Sequence, residues 1–146
     1  MLIRRAEERD INQLLALCAL HAAYEKCTYD VRGKKENLLV QLFENPKNLQ
    51  CIVVENQGKL NGYVTFIKQY STWDADYYVY LDCIYLKEEL RGQGVGSKLM
   101  QMVKSYAEQE DCFQIQWQTP DFNKQAIDFY KKLGAVAKTK QRFFWS

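Results

Sequence analysis

A chain of 146 residues with 20 Lys plus Arg, 18 Asp plus Glu and a 47% hydrophobic fraction has the size and make-up of one globular domain, 1–146. At this length roughly 68–70% of the unfolded chain's surface is buried on folding, so the core needs neither disulfide staples nor a structural metal. The net charge of +2, with acids and bases interspersed, excludes the basic stripe that tracks a phosphate backbone, and no apolar run approaches the roughly 18 residues of a membrane span, so neither nucleic acid nor membrane is an expected partner.

Met1 to Arg5 is short and β-like. Ile11, Leu14, Leu15, Leu17, Cys18 and Ala22 then recur at helical spacing with Asp10 placed to cap them, which predicts a first helix ending near Lys26. A second amphipathic stretch runs from about Lys34 to Glu44, with Leu38, Leu39, Leu42 and Phe43 on one face and Asn45-Pro46 as its stop. Here the period changes. Gln50 to Glu55 reads as a buried strand, Asn56-Gln57-Gly58-Lys59 as a hairpin turn and Leu60 to Gln69 as the return strand. After a polar loop at Ser71 to Asp76 come a third strand, Tyr77 to Leu86, a glycine-rich turn at Arg91 to Gly96, and a helix from Ser97 to about Gln109. Phe113 to Gln118 reads as a strand, Asn123 to Leu133 as a helix closed by Gly134, and Ala135 to Trp145 as one or two final strands. The order β-α-α-β-β-β-α-β-α-β-β joins an antiparallel meander to a strand-helix-strand crossover, which predicts an α/β fold with a mixed sheet covered by helices.

The five cysteines, Cys18, Cys27, Cys51, Cys83 and Cys112, contain no C-x-x-C pair, so neither a metal site nor a redox motif can be written from them. Reduced thiols fit a cytoplasmic protein. No apolar run follows a basic start at the N-terminus, so no secretory signal is expected.

Between Leu86 and Ser97 a strand hands over to a helix through glycines. Free backbone N–H groups at such a helix start suit a phosphate or pyrophosphate. Arg91-Gly92-Gln93-Gly94-Val95-Gly96-Ser97 fits neither familiar phosphate loop: a dinucleotide fingerprint would need glycine where Ser97 stands, and a Walker loop would end in Gly-Lys-Ser/Thr. What survives is R-x-x-G-x-G. Further on stands Asn123-Lys124-Gln125-Ala126-Ile127-Asp128-Phe129-Tyr130, with Leu133-Gly134-Ala135 behind it.

On these two segments and on the element order, the chain resembles the GCN5-related N-acetyltransferases (GNAT) over essentially all its length. The signatures of that family are Q/R-x-x-G-x-G/A and N-x-x-A-x-x-F-Y-x-x-x-G-A/F. The resemblance implies acetyl-coenzyme A as co-substrate, its pyrophosphate bound at the Arg91 loop by the backbone amides of Gln93, Gly94, Val95, Gly96 and Ser97. It further implies a pantetheine arm paired with the backbone of Ile84 and Leu86 like an added strand, and a thiol end flanked by Asn123 and Tyr130. A homodimer is implied as well, and the terminal Phe143-Phe144-Trp145 would be buried in the sheet or across a subunit boundary.

A closer likeness is to the diamine (spermidine/spermine) acetyltransferase branch. It rests on Tyr24-Glu25 at the end of the first helix, on Tyr70-Ser71-Thr72-Trp73, and on Tyr80-Leu81-Asp82. By this likeness Tyr24, Glu25, Trp73 and Asp82 would bind the acceptor. The chain departs from the branch at Asp82, which replaces a Glu, and at Cys83, which replaces an acid, so part of the amine-binding charge is missing.

Chemistry narrows the roles. An amine with a Lys-like pKa of about 10.4 is almost wholly protonated at neutral pH and must lose a proton before it attacks. Asp82, on the strand that leads into the glycine loop, is the best-placed base, directly or through a water. Tyr130 is the candidate acid for the departing thiolate. His21, beside Leu17 and Leu20, reads as structural, and Cys83 is expected to point away from Asp82 into the core. The expected activity is acetyl transfer from acetyl-coenzyme A to a primary amine by direct attack in a ternary complex, without a metal, the acceptor being a polyamine, a diamine or another small amine. Three alternatives stay open: a protein lysine or N-terminus as acceptor, a non-catalytic acyl-coenzyme A sensor, and a partner subunit.

Overall fold

The computed structural model describes residues 1–44 and 48–146. Its elements are β1 (Leu2–Arg5), α1 (Ile11–Tyr24), α2 (Lys34–Phe43), β2 (Gln50–Asn56), β3 (Lys59–Ser71), β4 (Asp76–Leu86), α3 (Val95–Gln109), β5 (Ile115–Gln116) and α4 (Lys124–Lys132). The strands form one sheet in the order β1-β2-β3-β4-β5. Every pairing is antiparallel except β4 with β5, the crossover product.

The layering follows from alternation in β2 and β3. Cys51 and Val53 point to one face of the sheet and Ile52 and Val54 to the other, and all four are buried. A strand apolar on both sides needs a layer over each. Leu14 and Leu17 of α1 and Leu42 of α2 cover the first face, against Leu60 and Tyr63. On the second face Val95, Leu99, Met100, Val103 and Ala107 of α3 pack on Val64, Phe66, Val79 and Leu81, and Phe129 of α4 joins at the margin. The β2–β3 turn is held by Gln57 and Gly58, both at positive φ (52° and 76°), the combination that matches strand twist in a two-residue hairpin.

The observed order agrees with the expected one through α4, with boundaries displaced by a few residues. The expected stop of α2 at Asn45-Pro46 lies outside the described residues. Asp10 does not cap α1 through its side chain. Its carboxylate instead accepts from both terminal nitrogens of Arg4 (2.7 and 2.9 Å) and from the Glu7 N–H (2.8 Å), a buried ion pair that holds the carboxyl below its usual range. The final strands expected over Ala135 to Trp145 are not formed: this segment has no regular structure, and Val136, Phe143, Phe144 and Trp145 are exposed. The sheet's edge at β5 is only two residues long and offers little for a further strand to pair with.

Candidate active site

A slip in the register of β4 shapes the site. Thr65 pairs with Cys83 and Phe66 with Leu81, so Asp82 is an extra residue, a β-bulge. Val79 and Leu81 before it, and Ile84 and Leu86 after it, all pack beneath α3, while Cys83 and Tyr85 pack toward α1. The alternation therefore shifts by one at Asp82. This corrects the expectation for Cys83, which shares a side with Asp82: its Sγ lies 3.7 Å from Asp82 Oδ2. Burial, with Asp82 beside it, pushes the Cys83 thiol up to about 12, which makes it a poor nucleophile near neutrality. The Asp82 side chain itself is exposed to water.

Past the bulge β4 loses its second neighbour. β5 pairs only with Val79 and Tyr80, and among the described residues no strand covers the same edge from Asp82 to Leu86. An extended ligand arm can therefore lie along Ile84 and Leu86, although the Leu86 carbonyl already accepts from Arg91 Nε at 2.9 Å.

The glycine loop follows directly. Gly92 and Gly94 sit at φ of +75° and +79°, and Gly94 is the residue before α3. No side chain caps this helix, and Lys98 is the residue whose N–H reaches back to the Gly94 carbonyl (3.2 Å), so the N–H groups of Val95, Gly96 and Ser97 have no intrahelical acceptor. A Cβ on Gly94 would meet nothing within 4 Å, so the loop faces open space. A Cβ on Gly96 would come within 3.1 Å of the Phe129 ring, the close approach that lets α3 and α4 meet. Unclaimed donors, the positive end of a helix and room outside the backbone fit a pyrophosphate. Arg91 is different: its guanidinium lies over Tyr24 (4.5 Å) and Tyr85 (5.6 Å), so its side chain braces the adjoining aromatic wall.

Tyr130, on α4, packs edge-on against Trp117 at 5.2 Å. Burial first, then the negative charge of Glu25 and the neighbouring Tyr24, push its phenol up to about 12, which keeps it a hydrogen-bond donor. Asn123 caps α4 by accepting from the Ala126 N–H (3.3 Å), and the same oxygen accepts from Tyr24 Oη (3.2 Å). Tyr24 and Asn123 thus meet where α1 ends and α4 begins, and the charge of Glu25, next to Tyr24, acts on Tyr130 further along α4. A cavity of about 390 Å³ opens there, lined by Tyr24, Lys26, Phe122, Asn123, Lys124 and Gln125.

Trp73 is not part of this cluster. It is 96% exposed at the tip of the β3–β4 hairpin, and Asp82 lies six strand residues past Asp76, roughly 20 Å along β4. Two residues that the sequence reading left outside the site belong to it. His21 touches Glu25 through Nε2 and Tyr63 Oη through Nδ1 (2.9 Å), and its ring stacks on Tyr85 at 5.4 Å. The four-residue spacing of His21 and Glu25 across the end of α1 was the available signal. Among the described residues no group of His, Cys, Asp or Glu is placed to hold a metal ion, and no helix is long and apolar enough to cross a membrane.

The profile of the acetyltransferase (GNAT) family matches residues 5–135. Thialysine N-epsilon-acetyltransferase of Bos taurus is 37% identical over 96% of this chain and 86% of its own. L-ornithine N5-acetyltransferase NATA1 of Arabidopsis thaliana is 31% identical over 62% of this chain and 37% of its own. Among solved structures, ribosomal-protein-alanine N-acetyltransferase from Brucella melitensis superposes with a TM-score of 0.78 at 18% identity, over 100% of both chains, a likeness of fold.

Proposed function

This chain belongs to the acetyltransferase (GNAT) family and is an N-acetyltransferase, and from that premise we propose that it transfers the acetyl group of acetyl-coenzyme A to the terminal amine of a small diamine or basic amino acid. The observation that carries the acceptor class is that Glu25, held at the end of α1, stands close enough to Tyr130 for its charge to act on the phenol, while Tyr24 beside it bonds Asn123. Anionic groups beside a protonated phenol suit an ammonium that must arrive charged and react neutral. The relatives named for thialysine and ornithine support an ω-amine on a short chain.

Bound acetyl-coenzyme A would supply an acyl group activated as a thioester. The amides of Gln93 to Ser97 would hold the pyrophosphate, and the backbone of Ile84 and Leu86 would align the arm. Glu25 and Tyr24 would receive the ammonium. Asp82, whose carboxylate is exposed to water, would accept its proton through a water. The Tyr130 O–H would donate to the sulfur as negative charge grows there. Asp82→Asn is expected to lower kcat/KM about a hundredfold at pH 7, and less as pH rises toward the amine's own pKa; an unchanged rate and pH profile would remove the base from this residue.

Mass spectrometry of reactions containing polyamines, basic amino acids, aminoglycosides and lysine peptides tests the acceptor class. Acetylated diamine or basic amino acid is expected as the main product. Acetylation of the peptides alone would move the acceptor to protein lysine, and cofactor binding without any product would favour a sensor.

The reading includes a cytoplasmic homodimer. Five unpaired thiols are in keeping with a reducing compartment, and exposed Phe143, Phe144 and Trp145 are in keeping with a second copy that covers them. Light scattering at micromolar concentration is expected to give twice the 17.2 kDa chain mass, falling to the monomer when residues 143–145 are changed to Ser. A monomer before that change would argue against the dimer.

A further inference from the structure

We infer that His21 is the positioning residue that holds the Glu25 carboxylate toward the incoming amine, an inference that rests on the amine acetyltransferase reading above. Glu25 is the first residue past α1, at φ −88° and ψ 13°. A carboxylate there faces the negative end of the helix dipole and the unpaired carbonyls of the last turn, so left to itself it is driven toward solvent. It is held instead, with its side chain only 31% exposed, by His21 Nε2 one turn earlier.

The direction of the hydrogen bonds fixes the imidazole. An ionised carboxylate can only accept, so Nε2 carries the proton that faces Glu25. In the neutral imidazole Nδ1 is then left to accept, and its partner is Tyr63 Oη at 2.9 Å. Tyr63 is 1% exposed, and burial pushes its phenol far above the usual value, so it stays a donor. The chain of donors runs from the core outward, Tyr63 O–H to His21 and His21 N–H to Glu25, and ends on the carboxylate whose charge reaches Tyr130. Every element packed here contributes a group. Glu25 and Cys18 stand on or beside α1, Tyr63 on β3, Cys83 and Tyr85 on β4, Arg91 over Tyr85, and Tyr130 on α4. Among these the imidazole is the group in hydrogen-bond contact with Glu25, and stacking on Tyr85 sets its plane.

His21→Leu keeps side-chain bulk and removes both hydrogen bonds. The KM for the amine is expected to rise about tenfold, the low end for a bond to a charged group, with the KM for acetyl-coenzyme A and the thermal midpoint nearly unchanged. His21→Gln, whose amide can donate to Glu25 and accept from Tyr63, is expected to recover most of the loss. The double variant with Glu25→Gln should be no worse than Glu25→Gln alone, because both changes remove one device. Additive losses, no rescue by Gln, or equal rises in both KM values would overturn the role.

A readout independent of turnover comes from His21 being the only histidine. Ring nitrogen NMR of the intact protein with the imidazole neutral is expected to show the Nε2–H tautomer alone, and mixed tautomers would overturn the proposal. If the wild-type protein acetylates no amine, the functional reading fails and this role falls with it. If it does and His21→Leu is silent, only the role of His21 fails.

Discussion

Tyr130→Phe is expected to lower kcat about a hundred- to ten-thousandfold, the range for loss of a proton donor, while coenzyme A affinity stays within about twofold. Phe keeps the ring that packs on Trp117 and lacks only the O–H, so fold and cofactor binding should survive. The pH profile adds a second check. With the phenol pushed up to about 12 by burial and by Glu25, the donor form persists through the neutral and mildly alkaline range. No falling limb should therefore originate from Tyr130 between pH 7 and 10 in the wild-type enzyme. An unchanged kcat in the Phe variant would reduce Tyr130 to packing.

The second large effect is expected at the glycine loop. Gly94→Glu should abolish measurable coenzyme A binding by calorimetry, a loss of more than about a hundredfold. Two costs combine. The backbone at φ +79° strains any side chain by roughly 1–2 kcal/mol, and the added carboxylate would project into the open space proposed for the pyrophosphate, replacing a favourable helix terminus with like-charge repulsion. Gly94→Ala separates these terms, since it carries the strain without the charge, and should retain weakened binding. Equal affinity in wild type and Gly94→Glu would place the cofactor elsewhere.

How much of this could be read beforehand depended on the range of the interactions. The β2–β3 hairpin was legible because Gly58 takes positive φ readily in a turn set between two apolar runs, and the start of α3 because glycines announce a turn whatever surrounds it. Asn123 and Tyr130 entered through a family resemblance, and Asn123 proved to be the helix cap that also receives Tyr24. The bulge was not legible. Period-two alternation assigns Asp82 and Cys83 to opposite faces, and only the pairing with Thr65 and Phe66 reveals the slip. Asp10 misled for a similar reason, since Arg4, from the neighbouring strand, claimed a carboxylate that local rules give to the helix. The C-terminal aromatics carry strand propensity, but among the described residues they pair with no strand and stay exposed. His21 and Tyr85 needed three dimensions: their roles arise from stacking and from a buried phenol forty-two residues beyond the histidine.

The claim on which the chemistry turns is direct transfer from thioester to amine, without an acyl-protein stage. Intact-mass measurement in a single turnover tests it. Protein mixed with acetyl-coenzyme A alone is expected to keep its unmodified mass, and addition of the amine should then place the acetyl group on the amine in the first turnover. A protein that gains one acetyl group in the absence of amine, and passes it on when amine is added, would contradict direct attack and make a thiol such as Cys83 the carrier.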